Sequence, residues 1–339
     1  MTFPILRPIF SALLALLGAL PLCAQTWEAD WLRNYEHRIV VQPDDYSGAV
    51  VSTIVRHTPQ PEGARTAVVY VHGFNDYFFQ GQLGDSVTAH GFAFYATDLR
   101  KYGRSWREGQ TLFEVRRLRE YFPDIDSTLA AVRADGYERV YLMGHSTGGL
   151  VCAYYLSKMG DARPEVCGLI LNSPFLDMNL SPMLEKVAVP VASALSFLNL
   201  KFKQSGSTAY AQSLLSQYHG EWDYDTSLKL EASPTVTSRW LGAIHRAQRR
   251  LKRRAHIGVP ILLLHSSQSI GGDEWTSDFN RADAVLDVAD IAKYGQRLGD
   301  DITEVTITDG MHDLILSRRD VRDETYRQIF LWMVGQEKK

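Results

Sequence analysis

Six short runs of aliphatic and β-branched residues recur along the chain: TAVVYVHG at 66–73, FAFYATD at 92–98, RVYLMGHS at 139–146, GLILNSP at 168–174, VPILLLHSS at 259–267 and TEVTITDG at 303–310. Continuous apolar runs of this length are expected of strands buried on both faces. Between them lie stretches with helical spacing, such as FPDIDSTLAAVRADG at 122–136 and VADIAKYGQRLG at 288–299. Strands alternating with helices predict a mostly parallel sheet with helices on both faces, an α/β fold. Ahead of this pattern, EHRIVVQP and GAVVSTIVRHTP predict an antiparallel pair at one edge.

The alternation stops between 177 and 254. This stretch has no convincing buried strand, carries Pro182 and Pro190, and contains an apolar helical segment, VASALSFLNL. An insertion of this size between two sheet strands predicts a helical cap over a core made of 25–176 and 255–339. Within it Trp240, Ile244, Ala247 and Leu251 recur at helical spacing beside the basic run RRLKRR. That run reads as the solvated face of an amphipathic helix, with a site for anionic lipid or nucleic acid as the sharper alternative.

The first 24 residues differ from the rest. Arg7 is their only charged side chain, and an apolar run leads to Pro21 and then Leu22-Cys23-Ala24. This predicts a signal peptide cut after Ala24, and hence a secreted or periplasmic protein. A membrane anchor would need a longer apolar stretch, and lipid attachment at Cys23 is disfavoured by Leu22. Cys152 and Cys167 remain, both in apolar contexts, and are expected to be free thiols.

With 45% hydrophobic and 22% charged residues, the 339-residue chain is long enough for a large α/β core. Its net charge of −3 provides no field for a nucleic-acid partner, so a small or neutral substrate is the default.

The chemistry centres on YLMGHSTGGLV at 141–151, which holds GxSxG as Gly144-His145-Ser146-Thr147-Gly148. A strand precedes Ser146 and a helix of small and apolar residues follows, so the serine falls on the sharp turn between them. Flanking glycines let the backbone take that turn, which aims the hydroxyl out above the sheet. A serine hydroxyl needs a base to take its proton. Of ten histidines, His312 in GMHDLILS follows the last predicted strand, at the sheet edge where open α/β sheets build their sites. His145 is expected to point away from the serine, and His245 and His256 to serve packing or surface roles. Backbone amides of Thr147 and of Phe74, in HGFND, are candidates to hold the oxyanion, with His72 bracing the loop.

HGFND, DLRKYGRS at 98–105, GHSTGG and GMHD, in this order, resemble the α/β-hydrolase superfamily. More narrowly they resemble the group holding monoacylglycerol lipases, lysophospholipases and the serine aminopeptidase S33 domain. The resemblance spans roughly 35–336, with a cap in the expected place. It implies cleavage of carboxylic esters, thioesters or, in some branches, peptides, without metal or cofactor.

In this fold the acid follows the strand before that of the histidine. Five carboxylates lie there: Asp273, Glu274, Asp278, Asp283 and Asp287. Counting from the end of VPILLLHSS favours Asp273, whereas counting back from His312 leaves one helix and one strand after Asp283. ADAVLDV resembles the family's turn of an aspartate followed by apolar residues. Asp283 is therefore the expected acid, with GGDEWTSDFNR as an insertion before it and Asp273 as the alternative. Asp287 reads as a helix N-cap, and Glu274 and Asp278 as solvated.

The expected protein is a serine hydrolase acting on a small, lipid-like carboxylic ester with an apolar acyl group. An aminopeptidase is the alternative and would need an acid for the substrate amine, for which Glu221, Asp223 and Asp225 are candidates. A fold-retaining binding protein without turnover is the reading from another class.

Overall fold

The aliphatic runs assemble in a computed structural model that describes residues 26–179, 189–202 and 207–338. The expected signal peptide at 1–24, with Cys23, lies outside the described residues. Strands β1 (Glu28–Ala29), β2 (Tyr35–Asp45) and β3 (Gly48–His57) precede β4 (Thr66–Val71), β5 (Ala93–Asp98), β6 (Arg139–His145) and β7 (Val166–Asn172). After them come β8 (Lys201–Phe202), β9 (Val236–Thr237), β10 (Ile261–Ser266) and β11 (Ile302–Ile307). Nine of these form one sheet in the order β1-β2-β3-β5-β4-β6-β7-β10-β11. The six strands from β5 to β11 pair in parallel, and β1, β2 and β3 continue one edge in antiparallel pairing.

Alternation of side chains along each strand divides the core in two. Val69, Leu142, Leu171 and Leu263 face helices α2 (Phe122–Ala134), α3 (Thr147–Met159) and α7 (Val288–Gly295), which bury Leu129, Val151 and Ile291 on that side. Their neighbours Val68, Tyr141, Ile170 and Leu262 face α1 (Gly81–Ala89) and α8 (Arg319–Glu337). Helices thus cover both faces, and the apolar runs are unbroken because each strand must satisfy both. β11 differs from the other predicted strands. Thr303, Glu304 and Thr306 are exposed, because it closes the sheet and has only β10 beside it.

Between β7 and β10 the described residues contribute nothing to the main sheet. They hold α4 (Val189–Ala194), α5 (Ala209–Leu214), the two-residue pair β8 and β9, and α6 (Ser238–Arg254). The helical spacing read at 240–251 is that of α6. Trp240, Ile244, Ala247 and Leu251 are all buried, and the Thr237 hydroxyl caps the helix by accepting from the Trp240 amide at 3.1 Å. Cys152 is buried and Cys167 half-buried, and both are free thiols.

The DLRKYGRS segment carries a buried charge network. The Arg104 guanidinium donates to both Asp30 carboxylate oxygens at 2.8 Å, to Asp98 at 2.9 Å and to the Phe78 carbonyl at 2.8 Å. Asp98 also accepts from the Phe78 amide at 2.8 Å. One arginine therefore fastens the N-terminal strand region and the loop after β4 to the end of β5. Arg104→Met should deprive the buried Asp30 and Asp98 carboxylates of the guanidinium they share and cost roughly 3–5 kcal/mol in urea unfolding. Arg65→Met, which breaks the largely exposed pair with Glu138, should change stability little.

Candidate active site

Ser146 stands between β6 and α3 with φ 51° and ψ −117°. L-residues rarely adopt this conformation, and it costs on the order of 1–3 kcal/mol. Close packing holds it: a Cβ on Gly148 would lie 2.3 Å from the carbonyl oxygens of Val71 and His72. Only a glycine lets the start of α3 approach the end of β4 so closely. The Ser146 amide donates to the Asn172 carbonyl at 3.0 Å, and its carbonyl accepts from the amides of Leu150 and Phe175.

The other elements converge here at the C-terminal ends of the parallel strands. Ser146 Oγ lies 2.9 Å from His312 Nε2, and His312 Nδ1 lies 2.9 Å from Asp283 Oδ2. A carboxylate at Nδ1 fixes the proton there, leaving Nε2 to accept from the serine hydroxyl. All three are buried. Asp283 Oδ1 accepts from the amides of Val285 and Leu286 at 2.8 and 2.7 Å, so both of its oxygens are occupied.

Asp273 is exposed, and its backbone carbonyl accepts from Ser207 Oγ at 3.1 Å. Glu274 and Asp278 are exposed as well. Asp287 caps α7, accepting from the Ala289 amide at 2.9 Å. The segment expected to be an insertion is pinched at its base, where the Ile270 amide donates to the Asp283 carbonyl and the Asp283 amide to the Gln268 carbonyl, both at 2.9 Å. The extra residues thus leave and re-enter the core at one point.

The HGFND loop lies directly against the serine: a Cβ on Gly73 would stand 3.3 Å from Ser146 Cβ. Among the described residues, neither the Phe74 amide nor the Thr147 amide donates to a protein carbonyl, which leaves both free for an external oxygen. His72 accepts from the Leu99 amide at 3.1 Å through Nε2, and its Nδ1 donates to the Gly73 carbonyl at 2.8 Å. It ties the loop to β5.

His145 does not lie clear of the centre. Its ring centroid is 4.9 Å from that of His312 and its Nε2 is 3.8 Å from Asp313 Oδ2. Burial, reinforced by His312 and Lys229, lowers its pKa well below the usual value, so it is a neutral wall of the site. His245 and His256 lie away from it, respectively half-buried and exposed.

A cavity of about 190 Å³ opens beside Ser146. Phe74, Phe175, Leu214, Leu230 and Trp240 line it, mixing core and 177–254 residues. Phe74 and Trp240 pack with ring centroids 4.4 Å apart. Three polar side chains missed by sequence reasoning set its shape. Asn75 exchanges two hydrogen bonds of 2.8 Å with the Leu230 backbone, Asp76 pairs with Lys229 at 2.9 Å, and Lys229 itself lines the cavity. The available signal was the ND of HGFND, polar residues in a loop that otherwise packs aromatic side chains.

Asp313 follows His312 but faces elsewhere. Its Oδ1 accepts from Asn172 Nδ2 at 2.7 Å, while Oδ2 is buried without a hydrogen-bond partner among the described residues. Burial, then the nearby Asp76 carboxylate, pushes its pKa up to about 7.

This arrangement, a strained serine on a strand-to-helix turn with histidine and aspartate on the loops that follow, defines an α/β-hydrolase. Residues 62–316 match the family model described as serine aminopeptidase, S33, and the chain belongs to that family of hydrolases. No curated protein sequence matches it. Among solved structures, a soluble variant of monoglyceride lipase from Saccharomyces cerevisiae aligns at TM-score 0.63 and 18% identity, over 88% of this chain and 95% of that one. The monoacylglycerol lipase of Paleococcus ferrophilus aligns at 0.58 and 21%, over 85% and 99%. A thermostable carboxyl esterase from Bacillus coagulans aligns at 0.59 and 15%, over 88% and 98%. These likenesses establish the shared fold.

Because Asp313 holds its proton more tightly folded than unfolded, its contribution to stability is present at low pH. That contribution is lost as pH rises from the ordinary carboxyl range through about 7. Asp313→Asn should therefore lose less melting temperature than wild type between about pH 5 and about pH 8. The difference should correspond to on the order of 1–3 kcal/mol and is measurable by calorimetry.

Proposed function

We propose that the protein hydrolyses carboxylic esters with an apolar acyl group through an acyl-enzyme on Ser146. The observation that carries this reading is the pair of 2.9 Å hydrogen bonds linking Ser146, His312 and Asp283. Ser146 Oγ attacks the carbonyl carbon while its proton passes to His312 Nε2, and Asp283 orients and stabilises the imidazolium. The oxyanion takes the free amides of Phe74 and Thr147. Collapse expels the alcohol with the proton from His312, and water repeats the sequence to release the carboxylic acid. The aromatic and aliphatic lining of the cavity favours an apolar acyl group, in keeping with the lipases and esterases that share the fold.

In this reading residues 177–254 act as a cap, since Tyr210, Leu214, Leu230 and Trp240 roof the cavity. The N-terminal sequence supports export with a cut after Ala24. None of the described helices is long and apolar enough to cross a membrane.

A fluorophosphonate probe should label wild type and not Ser146→Ala; absence of labelling in wild type would favour a binding protein without turnover. Asp283→Asn should lower turnover by about four orders of magnitude while Asp273→Asn stays near wild type. The reverse ranking would move the acid to Asp273.

The family description favours a second reading, an aminopeptidase. Glu221 lies beside Arg322 at 3.3 Å, Asp223 is bonded to Ser216, and Asp225 holds Ser227. None of the three lines the cavity, but Glu231 does, half-buried and accepting from Tyr218 at 3.1 Å. Aryl esters of fatty acids should turn over faster than aminoacyl anilides, and Glu231→Gln should leave ester KM unchanged. Faster anilide turnover with a KM raised by Glu231→Gln would establish the peptidase instead.

A further inference from the structure

The basic run of α6 does not stand alone. Arg246, Arg249, Arg250 and Arg253 are exposed along one side of the helix. Facing them is a loop that presents Arg116, Arg117 and Arg119, also exposed, and Lys158 comes up from the end of α3. The two grooves these residues line, of about 800 and 660 Å³, share Arg119, Tyr154 and Arg246 and are continuous. None of these eight cations, four from α6, three from the loop and one from α3, pairs with a carboxylate among the described residues. The chain as a whole carries −3, so positive charge is segregated onto this face. Burial, then Arg250 and Arg119, lower the pKa of Lys158, the direction that crowding of like charges produces.

The same face has an apolar ridge. Phe197 lines the first groove and is 71% exposed, and Val191, Leu198, Leu200 and Phe202 beside it in sequence are exposed as well. Soluble surfaces rarely gather large apolar side chains in one short segment without a partner.

We propose that this face docks the protein on a bilayer surface of anionic phospholipid, the arginines meeting lipid phosphates and the 191–202 ridge entering the headgroup layer. Charge complementarity selects the occupant, and the ridge selects lipid over nucleic acid. A bilayer interface rewards apolar side chains and cations together, whereas a sugar-phosphate backbone would leave Phe197 and Leu198 against a polar surface. Trp240, at the start of α6, lines the cavity beside Ser146, and Arg253 lies about 20 Å further along the helix at ~1.5 Å per residue. Docking therefore brings the cavity within reach of molecules dissolved in the bilayer. The binding claim itself is independent of Ser146.

The test is cosedimentation of the full chain with vesicles of phosphatidylcholine alone or with phosphatidylglycerol added. The readout is the ratio between the two, because an apolar N-terminal segment would partition into both. Wild type and Ser146→Ala should bind the anionic vesicles at least about tenfold more tightly, with the preference collapsing in high salt. The triple variant Arg249→Glu, Arg250→Glu, Arg253→Glu should abolish the preference while hydrolysing a soluble ester at the wild-type rate, which reports that it is folded. Phe197→Asp should weaken binding several-fold. Equal binding of wild type to both vesicle types would overturn the proposal. So would a duplex DNA that displaces the vesicles at matched phosphate concentration, or Phe197→Asp that binds as wild type does, since either would make the face a general polyanion site.

Discussion

The site is organised by the backbone of Ser146, held at positive φ where β6 turns into α3. A strained residue persists only where its surroundings overdetermine it, and here they do so from three directions. Val71 and His72 press on Gly148, Asn172 at the end of β7 takes the Ser146 amide, and Phe175 and Leu150 donate to its carbonyl. The neighbouring strands of β6 therefore both act on the serine. The sheet supplies the rigidity, and the loops at its C-terminal ends supply the groups.

Those loops are fixed by polar contacts that an apolar core could not provide with the same directionality. His72 fastens the HGFND loop to β5, and Arg104 fastens the far end of that loop at Phe78. Asn172 takes the Leu314 amide at 3.2 Å as well as donating to Asp313, so the loop carrying His312 is registered on β7. Asn75 and Asp76 in turn carry the 229–230 segment, and Trp222 donates to the Leu316 carbonyl at 2.8 Å. These residues of 177–254 are thus tied to the two loops whose positions matter most for the proposed chemistry. Replacing a hydrogen-bonded buried group there leaves its partner unsatisfied, which costs more than the bond itself contributes.

Most of the sheet was legible because burial on both faces forces an apolar run, and the turn at Ser146 because its steric demands restrict the neighbours to small residues. β11 was legible from its place in the alternation more than from its burial, since an edge strand keeps Glu304 and Thr306 in water. The pairs β8 and β9 were not legible: two residues each fall below any periodicity. The ambiguity between Asp273 and Asp283 had a physical origin. Counting along the chain treats every residue as advancing the path, but 271–282 form a loop closed at its base by Ile270 and Asp283. That closure, together with Asn280 donating to the carbonyls of Ser213 and His219 and the stacking of His219 on Trp275, lies in long-range contacts that no local pattern announces. The neighbourhood of His145 escaped for the same reason: strand alternation gives the side of the sheet, but not which ring arrives there from another loop.

Three carboxylates approach His312 or its neighbours, and their environments separate them. Asp283 meets donors on both oxygens, two backbone amides and the imidazole. Asp76 is matched by Lys229 on one oxygen, and the other has no hydrogen-bond partner among the described residues. Asp313 has one oxygen without a hydrogen-bond partner among the described residues and a pKa raised to about 7 by burial and by Asp76, so near neutrality about half of it is the acid. A protonated Asp313 contributes no full charge beside His145 and His312. On the proposed mechanism the imidazolium formed during attack then has one buried, hydrogen-bonded anion to answer it, on the Nδ1 side, and the proton on Nε2 remains free to move to the leaving alcohol. Were Asp313 fully ionised, a second anion beside His145 would hold that proton back from the alcohol and raise the cost of its transfer. On that mechanism the neutral wall of His145 and the reduced charge of Asp313 would serve the same end, leaving the direction of proton transfer to the geometry of Ser146, His312 and Asp283.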